Sequence, residues 1–341
     1  MRKPLLLIVL IFLAGLARAT DPVPERFTFE EPHMGTKFRI VLYAVDKDQA
    51  EKAAKAAFAR VAELNRIMSD YLDDSELMLL CKKAGGDPAP VSPDLFNVLK
   101  KADEISRLTD GALDVSIGPV VRLWRKARRT GKLPDAEELK KALARVDFRK
   151  IKLDPNGRRV QLLLMGMLLD LGAIAKGYAA DAAVQVLRQQ GIRSALVAAG
   201  GDIAVSEPPP DTKGWKITIA GLKGGDDPDS RQILLSNAAV STAGDLYQNV
   251  EIDGKRYSHI IDPKTGYGLL GRRSVTVIAP DGATADALDT AICILGMEQG
   301  VKLLESMKDV AGIIYFETPT GVEIRESKSF GKYSPGRDER K

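Results

Sequence analysis

The chain has 341 residues, of which 45% are hydrophobic and 28% charged, and its formal net charge is +4. Chains of this length and composition bury a substantial core, either as one large domain or as two lobes. Three of the 50 basic residues lie in the first nineteen positions, which hold no acidic residue, so the remaining chain has 47 basic and 46 acidic residues. A nucleic-acid-binding protein would need a strongly basic face, and this balance argues against that class.

Residues 1–19 are typical of a secretory signal. They combine a basic start at Arg2, an apolar run over residues 5–16 and a small-x-small cleavage site that ends at Ala19. The mature chain is expected to begin at Thr20. The apolar run is shorter than the roughly 20 residues of a spanning helix, and no cysteine lies near the cleavage site to carry a lipid. We therefore predict a soluble, exported, periplasmic protein with no transmembrane segment after signal removal.

Hydrophobic periodicity predicts both strands and helices in the first half of the mature chain. Residues 47–69 carry apolar side chains at helical spacing, from Ala54 to Met68. Ser92 followed by Pro93 is typical of a helix start. In chain order we predict strands over residues 26–30 and 37–43, helices over 47–69, 92–109 and 134–146, and strands over 150–153, 159–164 and 168–171.

The second half continues the same mixture. A helix over residues 174–190 is expected to end before Gly191, and Asp253-Gly254 is typical of a two-residue hairpin turn. The polar residues 332–341 are predicted to form a disordered tail. The remaining predicted elements are strands over residues 194–198, 215–220, 232–236, 240–242 and 274–278, a helix that contains Asp286, and a strand over 312–316. Together these patterns predict an α+β fold with mixed or antiparallel sheets and packed helices.

Two features that often mark cofactor or redox sites are interpreted as structural. Residues 266–271 satisfy G-x-G-x-x-G, but they follow a turn and lead into a strand, whereas a dinucleotide-binding loop leads from a strand into a helix. The two cysteines, Cys81 and Cys293, each lie in a predicted helix without a metal-ligand companion. We predict that both are small buried residues rather than halves of a disulfide.

Three oxygen-bearing side chains recur at helical spacing in the second half. Asp286, Asp289 and Thr290 would lie on one face of a helix, and we expect Asp286 to face solvent. Carboxylate and hydroxyl oxygens suit Mg²⁺, which usually keeps open positions for substrate phosphates. On spacing alone, the alternative is a helix N-terminus with aspartates placed against the dipole.

A histidine and a lysine complete the candidate chemistry. His259 is one of only two histidines and precedes a turn, so it is a candidate proton acceptor, although a histidine at a strand end would fit equally well. Lys176 follows Asp170 and the bend at Gly172, and it falls in the first turn of a predicted helix. The helix dipole disfavours a cation at that end, so an anionic ligand nearby would explain the lysine.

Further short motifs agree with these segments in order along the chain. They are Met34-Gly35-Thr36, Met68-Ser69-Asp70-Tyr71 with Asp74-Ser75-Glu76-Leu77, Gly111-Ala112-Leu113-Asp114 with Gly118-Pro119 and Leu123-Trp124, and Gly200-Gly201-Asp202. With the segments that contain Lys176, His259 and Asp286, this pattern resembles the FAD:protein FMN transferase family, also called ApbE. Collinear agreement of this many motifs seldom arises by chance. The resemblance implies a T-fold-like, two-lobed single catalytic unit over residues 20–331.

The resemblance also implies a flavin site, a metal site and a catalytic base. The implied FAD-binding residues are Met34, Tyr71, Ala112, Leu113, Asp114, Asp170, Lys176 and the backbone at Ile260. The implied Mg²⁺ ligands are Asp286, Asp289, Thr290 and the carbonyl of Ala173. His259 is the implied catalytic base. In these roles Tyr71 would stack on an aromatic ring, Met34 would form an apolar wall, and Lys176 would neutralise a phosphate.

The implied activity is Mg²⁺-dependent transfer of FMN from FAD to a Thr or Ser hydroxyl of an acceptor flavoprotein, with release of AMP. The implied acceptors are flavoprotein subunits of sodium-translocating NADH:quinone reductase or of Rnf-type complexes, whose modified segments face the exported side. Two alternatives stay open. A metal-dependent FAD pyrophosphatase would use the same groups with water as the nucleophile, and a non-catalytic exported flavin-binding protein would keep only the pocket.

Overall fold

The computed structural model describes residues 23–224, 227–245 and 248–336. The predicted signal segment, residues 1–19, and the expected mature start at Thr20 lie outside the described residues. Half of the predicted tail, residues 337–341, also lies outside them. The described start of that tail belongs to a short 3₁₀ helix, Phe330–Tyr333. No helix in the described ranges has the length and apolar character needed to cross a bilayer.

Strands are numbered in chain order. They are β1 (Glu25–His33), β2 (Thr36–Ala44), β3 (Ala89–Pro90), β4 (Ile151–Asp154), β5 (Arg159–Leu162), β6 (Ala195–Ala199), β7 (Asp202–Val205), β8 (Trp215–Ile219), β9 (Arg231–Leu235), β10 (Ala238–Gly244), β11 (Asn249–Ile252), β12 (Lys255–Ile261), β13 (Gly268–Leu270), β14 (Arg273–Ala279), β15 (Ala311–Thr318) and β16 (Gly321–Glu326).

The α-helices of the described residues are numbered in the same way. They are α1 (Lys47–Met68), α2 (Glu76–Cys81), α3 (Pro93–Leu108), α4 (Gly118–Thr130), α5 (Ala136–Leu143), α6 (Ala175–Gln189), α7 (Gly282–Leu295) and α8 (Met297–Ser306). Side-chain caps fix several of their starts. The Asp46 carboxylate accepts from the Gln49 amide at the start of α1, and the Asp281 carboxylate accepts from the Thr284 amide at the start of α7.

An eight-stranded sheet organises the molecule, with strand order β1-β2-β6-β7-β10-β14-β15-β16 and every neighbouring pair antiparallel. Residues of β2 alternate between its two faces. Phe38 and Ile40 belong to the main core, formed with α1, α3, α6 and α7. Val41 belongs to a second core on the opposite face, which the β8–β9 hairpin covers. The predicted α+β fold with antiparallel sheets is confirmed.

A smaller lobe packs beside this sheet. Its core joins α4 and α5 to the three-stranded sheet β11-β12-β13. Trp124 lies at its centre, where its ring contacts Tyr257 at a centroid distance of 5.2 Å and its Nε1 donates to the Gly266 carbonyl at 2.7 Å. This lobe therefore holds β12, which carries His259, against α4.

Two hairpins place residues of the predicted site. Asp253 and Gly254 join β11 to β12 with φ angles of 51° and 68°, as the sequence predicted. Met34 and Gly35 join β1 to β2 with φ angles of 49° and 71°. A left-handed backbone is uncommon for a methionine, and such conformations concentrate at functional sites.

Most predicted elements are confirmed to within a few residues, but one is wrong. Residues 168–171 do not form a strand, because Leu168 makes only an isolated bridge with Ile117 and the segment runs on as a connection. Leu169 and Leu171 are buried in the main core, and this burial produced a strand-like alternation. Residues 266–271 lie on a turn and in β13, so the rejection of a dinucleotide-binding loop is confirmed.

Both cysteines are free and buried, as predicted. Cys81 is the last residue of α2, and Cys293 lies inside α7. Burial raises the pKa of Cys81 to about 11 and also raises the pKa of Cys293. A thiol that stays protonated at neutral pH is a poor nucleophile, which agrees with a structural role for both.

Candidate active site

Two facing helices bring a lysine and a carboxylate together. Lys176 lies in the first turn of α6, as predicted, and α7 carries Asp286. The backbone amide of Gly177 donates to Asp286 Oδ2 at 3.1 Å. The first amides of a helix lack partners within the helix and favour a negatively charged acceptor. The start of α6 is therefore already oriented toward an anion in the protein itself.

Lys176 belongs to a buried polar cluster drawn from four elements. Its Nζ lies 2.6 Å from Asp202 Oδ2 and 3.6 Å from Asp286 Oδ2. Ser241 Oγ lies 2.5 Å from Asp202 Oδ1 and 2.6 Å from Asp289 Oδ2. One hydroxyl hydrogen cannot serve both acceptors. Asp202 and Asp289 therefore compete for the single hydrogen of the Ser241 hydroxyl.

The cluster carries an excess of negative charge. Burial, together with repulsion from Asp202, raises the pKa of Asp286 to about 7. Burial, together with repulsion from Asp286 and Asp202, raises the pKa of Asp289 well above its usual value. Burial disfavours the charged form of Lys176, but Asp286 and Asp202 outweigh it and raise the lysine pKa. Three carboxyl groups therefore face one ammonium group, and a bound cation would offset this excess of negative charge.

The predicted metal residues lie close together, with one correction to their surroundings. Asp286 and Asp289 are only 3% and 1% exposed, so the expectation that Asp286 faces solvent is wrong. Helix α7 is covered by α6 and the sheet on nearly all sides, and its polar face is buried with the rest. The alternative of a helix N-terminus is also wrong, because Asp281 caps the helix and Asp286 lies inside it.

Thr290 and Ala173 complete the predicted ligand set. Thr290 Oγ1 donates to Asp289 Oδ1 at 3.2 Å, so the hydroxyl lies beside one of the carboxylates. Ala173 lies just before the start of α6 and is half-buried. Within the described ranges, no three His, Cys, Asp or Glu side chains are placed to hold a metal ion together. The predicted set differs from such a group because it contains only two carboxylates.

His259 lies on β12 of the smaller lobe, a strand that also contacts α7. It lies on β12 between Tyr257 and Ile261, whose side chains pack with α4, so alternation along the strand turns His259 toward α4 as well. Its Nδ1 lies 3.0 Å from the Gln248 carbonyl oxygen. A carbonyl can only accept, so Nδ1 carries the hydrogen and Nε2 keeps a free lone pair.

The surroundings of His259 favour its neutral form. Burial lowers its pKa below the usual 6.5, and the positive charges of Arg128 and Lys176 lower it further. The Gln248 carbonyl and Asp245 oppose this shift without reversing it. At neutral pH the imidazole is therefore unprotonated and able to accept a proton through Nε2.

The predicted flavin-binding residues Tyr71 and Asp170 meet at an arginine of α4. Arg125 Nη2 lies 2.6 Å from Asp70 Oδ2 and 3.1 Å from Asp170 Oδ2. The guanidinium carbon lies 4.0 Å from the centroid of the Tyr71 ring, which is 75% exposed. Burial and repulsion from Asp70 raise the pKa of Asp170 to about 6, while the Gly172 amide and Arg125 oppose the shift. Arg125 thus orients an exposed aromatic ring and a buried carboxylate together.

The remaining predicted residues have internal partners. Ala112 and Leu113 are buried in the main core. Asp114 accepts from the Ser116 amide and hydroxyl through Oδ1, and from the Phe148 amide through Oδ2. The Ile260 amide donates to Ser258 Oγ at 3.1 Å. For these residues, a direct contact with FAD stays a prediction.

The β1–β2 turn that carries Met34 lies close to the segment that leads to Asp202 of the polar cluster. A Cβ atom added to Gly200 would lie 3.3 Å from Thr36 Oγ1, and one added to Gly201 would lie 2.7 Å from the Thr242 carbonyl oxygen. The turn that carries Met34, the segment before Asp202 and strand β10 therefore converge. Only a residue without a side chain fits at Gly201.

The site contains residues that sequence reasoning did not assign. Asp202 was part of a matching motif, and an aspartate after two glycines was a usable signal. Arg125 directly follows the Leu123-Trp124 motif, although nothing in its spacing indicated an ion pair with Asp170. Ser241 carried no signal, because a serine within a strand is ordinary.

Comparison with known proteins shows the family to which the chain is related. A protein-family model described as the ApbE family matches residues 34–314. The FAD:protein FMN transferase of Haemophilus influenzae is 32% identical over 342 aligned positions, which cover 97% of this chain and 98% of the relative. The protein of the same name from Vibrio cholerae is 32% identical and covers 95% of this chain and 97% of its own length.

Solved structures give the same result. The flavin transferase ApbE from Vibrio cholerae has a TM-score of 0.82 and 30% identity, and the match covers 91% of this chain and 99% of that one. The apo flavinyl transferase ApbE from Pseudomonas stutzeri has a TM-score of 0.80 and 26% identity, covering 92% and 98%. The chain thus belongs to the ApbE family of FAD:protein FMN transferases, a family of flavinyltransferase enzymes.

Proposed function

We propose that this chain transfers FMN from FAD to a Thr or Ser hydroxyl of an acceptor flavoprotein and releases AMP, in a reaction that depends on Mg²⁺. The observation that carries the proposal is the position of His259, whose Nδ1 lies beside the Gln248 carbonyl, on a strand that contacts α7, the helix that carries Asp286 and Asp289. A base beside a phosphate-binding cation is what attack by a hydroxyl on a pyrophosphate requires.

In the proposed reaction the acceptor oxygen forms a bond to the phosphorus on the FMN side of FAD. The bond from that phosphorus to the bridging oxygen breaks, and AMP leaves with that oxygen. The hydroxyl proton passes to Nε2 of His259, whose Nδ1 hydrogen is held by the Gln248 carbonyl. Lys176 stabilises the charge on the phosphate oxygens from the first turn of α6.

The chain's own residues bind and orient the other groups. Tyr71 offers an exposed ring for stacking, and Arg125 holds that ring in place. Asp286, Asp289, Thr290 and the Ala173 carbonyl would hold Mg²⁺, with Asp202 close by. When bound, the ion would neutralise charge on the pyrophosphate. Ser241 keeps Asp202 and Asp289 in place.

The proposed setting is outside the cytoplasm. The basic, apolar and small-residue pattern of residues 1–19 supports export, with a mature start at Thr20. Acceptors of the proposed class are flavoprotein subunits of sodium-translocating NADH:quinone reductase or Rnf-type complexes. N-terminal sequencing of protein recovered from the periplasmic fraction tests the location, and an intact Met1 terminus would contradict it.

One incubation separates the proposed transferase from the two alternatives. The protein is mixed with FAD and Mg²⁺, with and without a Thr-containing acceptor peptide, and the flavin products are separated. FMN attached to the peptide together with free AMP supports the transferase. FMN release without peptide would instead indicate a pyrophosphatase, and unchanged bound FAD a carrier. The Lys176→Met variant serves as the control for non-enzymatic products.

A further inference from the structure

Helix α4 is far more basic than its neighbours. Its thirteen residues include Arg122, Arg125, Lys126, Arg128 and Arg129, and they contain no acidic residue. The apolar face packs into the smaller lobe through Val120, Trp124 and Ala127. The basic residues lie on the remaining surface of the helix, because three- and four-residue spacings return to one side.

Two of these arginines mark where this surface points. Arg125 contacts the Tyr71 ring and Asp170, which belong to the predicted flavin site. Arg128 lies three residues later on the same flank, and α4 packs against Tyr257 and Ile261 of β12, the strand that carries His259. The flank of α4 therefore extends from the flavin side of the site toward the catalytic base. Arg122, Lys126 and Arg129 lie next to this flank and are exposed to solvent.

The outer arginines have no carboxylate to neutralise them within the described part of the chain. Arg125 pairs with Asp70 and Asp170, and Lys126 has Glu138 at 3.8 Å. Arg122, Arg128 and Arg129 form no such pair among the described residues, and Arg122 Nη2 lies 4.0 Å from Met78 Sδ. The helix dipole favours cations in the last turn, which accounts for Arg128 and Arg129 but not for Arg122 near the start.

We infer that this basic face, defined by Arg122, Arg128 and Arg129, receives acidic residues of the acceptor protein that flank the hydroxyl to be modified. The inference rests on the proposed function. A basic face is complementary to acidic residues, and because α4 packs against the strand that carries His259, a chain lying along α4 would bring its hydroxyl toward the base. Charge pairing at the rim of a site speeds association and fixes register more than it adds contact area.

Binding of a peptide provides the first test. Fluorescein-labelled peptides with one central Thr, flanked by Asp and Glu in one version and by Asn and Gln in the other, are titrated with the FAD-loaded protein. The acidic peptide should bind at least about tenfold more tightly, and added salt should remove the difference. The double variant Arg122→Glu/Arg129→Glu should lose this preference.

A matched control separates a local effect from net charge. Lys52 and Lys55 are exposed on α1, and the variant Lys52→Glu/Lys55→Glu changes the net charge by the same amount. It should keep the preference for the acidic peptide. An equal loss of the preference for the acidic peptide in both variants would overturn the inference. Binding of a thymidine oligonucleotide of equal charge to the wild-type protein as tightly as the acidic peptide would also overturn it.

FMN transfer provides the second test and keeps the two proposals apart. The α4 variant should show a higher KM for the acidic peptide with little change in kcat, and an unchanged affinity for FAD. A parallel loss of FAD affinity would assign the face to the cofactor and overturn the inference. Equal transfer to acidic and neutral peptides would overturn the inference while leaving the proposed function intact. Charge-dependent binding of the peptide without any FMN transfer would contradict the proposed function while leaving the inference intact.

Discussion

A Cβ atom added to Gly177 would lie 2.1 Å from the carbonyl oxygen of Gly282, and one added to Gly282 would lie 2.5 Å from the carbonyl oxygen of Gly177. The helices α6 and α7 thus cross with their backbones in contact. This close approach lets the Gly177 amide reach Asp286 and brings Lys176 to the same carboxylate. Two glycines far apart in sequence therefore set the spacing of the charged groups at the site.

The variant Gly177→Ala should lose both stability and transfer. The added methyl has backbone on the opposite side, so the helices must separate, at a cost of about 1–3 kcal/mol or more. We expect a lower Tm and a larger loss of FMN transfer than the remaining folded fraction explains. Gly331→Ala is the control, because a Cβ there meets nothing within 4 Å. Wild-type Tm and transfer in Gly177→Ala would show that the crossing tolerates expansion.

Asp286→Asn should uncouple stability from Mg²⁺. Asparagine keeps the size of the side chain and can still accept from the Gly177 amide, while one of three crowded negative charges is removed. In the absence of metal the variant should be at least as stable as the wild type. Mg²⁺ should raise the Tm of the wild type by mass action, but not that of the variant, which should also lose transfer. An equal Mg²⁺-induced rise in both proteins would contradict the metal assignment.

Asp181 should make stability fall as pH rises. Its Oδ2 accepts from the Gly282 amide at 2.6 Å, and burial together with the charge of Asp281 raises its pKa to about 7. Because the folded pKa exceeds the usual 3.8, the stabilisation is full below that value and is lost as pH rises through about 7. The Tm advantage of Asp181→Asn over wild type should therefore grow from about pH 5 to about pH 8.

Thermal unfolding across this pH range checks the prediction, and Asp87→Asn on the exposed surface is its control. A constant difference in Tm between Asp181→Asn and the wild type would mean that Asp181 does not change its charge in this range.

His259→Ala should remove the base without emptying the flavin site. FMN transfer should fall by roughly 10²-fold or more, and FAD affinity should stay nearly normal, because proton transfer acts in the chemical step. With a pKa below 6.5, the wild-type rate should fall on the acidic side of that value, and the variant should lack this decline. Higher pH should partly restore transfer by the variant. The measurements are covalent flavin fluorescence on an acceptor peptide and a separate FAD titration.

If FAD affinity fell in proportion to transfer, His259 would be a positioning residue and another group would have to take the proton. Asp245 is poorly suited to replace it. Its carboxylate is buried, pairs with Arg256 at 3.0 Å and accepts from the Arg273 amide. A carboxylate held in this way has little capacity left for a substrate hydroxyl.

Arg125→Leu should weaken FAD binding by releasing Tyr71 and Asp170 together. The Tyr71 ring loses the cation beneath it, and Asp70 and Asp170 are left facing each other without compensation. We expect FAD affinity to fall by about tenfold, equivalent to about 1.4 kcal/mol, with less quenching of flavin fluorescence by the tyrosine. Arg125→Lys should recover part of the affinity. Normal quenching in Arg125→Leu would show that Tyr71 needs no support from α4.

The sequence predicted the main elements because their signals are local. The caps at Asp46 and Ser92, the helical spacing of α1 and the Asp253-Gly254 turn each act within a few residues. The helix α4 was not predicted, since five basic residues in thirteen hide its apolar face. Residues 168–171 were wrongly predicted as a strand. Alternate side chains are buried there, which gives the sequence pattern of a strand although no neighbouring strand pairs with the segment.

The candidate site was predictable only in part. Spacing placed Asp286 beside Asp289 and Thr290, and helix polarity singled out Lys176. Neither signal could indicate that α7 is enclosed by other elements, which is a property of the tertiary packing. For the same reason, local sequence could not predict the hydrogen bonds of Ser241 to two carboxylates. Their partners lie 39 and 48 positions away in the chain.

The strand that carries His259 belongs to two cores at once. Ile260 packs into the main core, whereas Tyr257 and Ile261 pack into the smaller one, and no ladder hydrogen bond joins β12 to the eight-stranded sheet in the described residues. In the proposed reaction, the position of His259 relative to the pyrophosphate is therefore set by how tightly apolar side chains fill the space on either side of β12. On this proposal, apolar residues that take no part in the chemistry help to set the rate of transfer, because a misplacement of about 1 Å can slow a reaction by about 10²-fold.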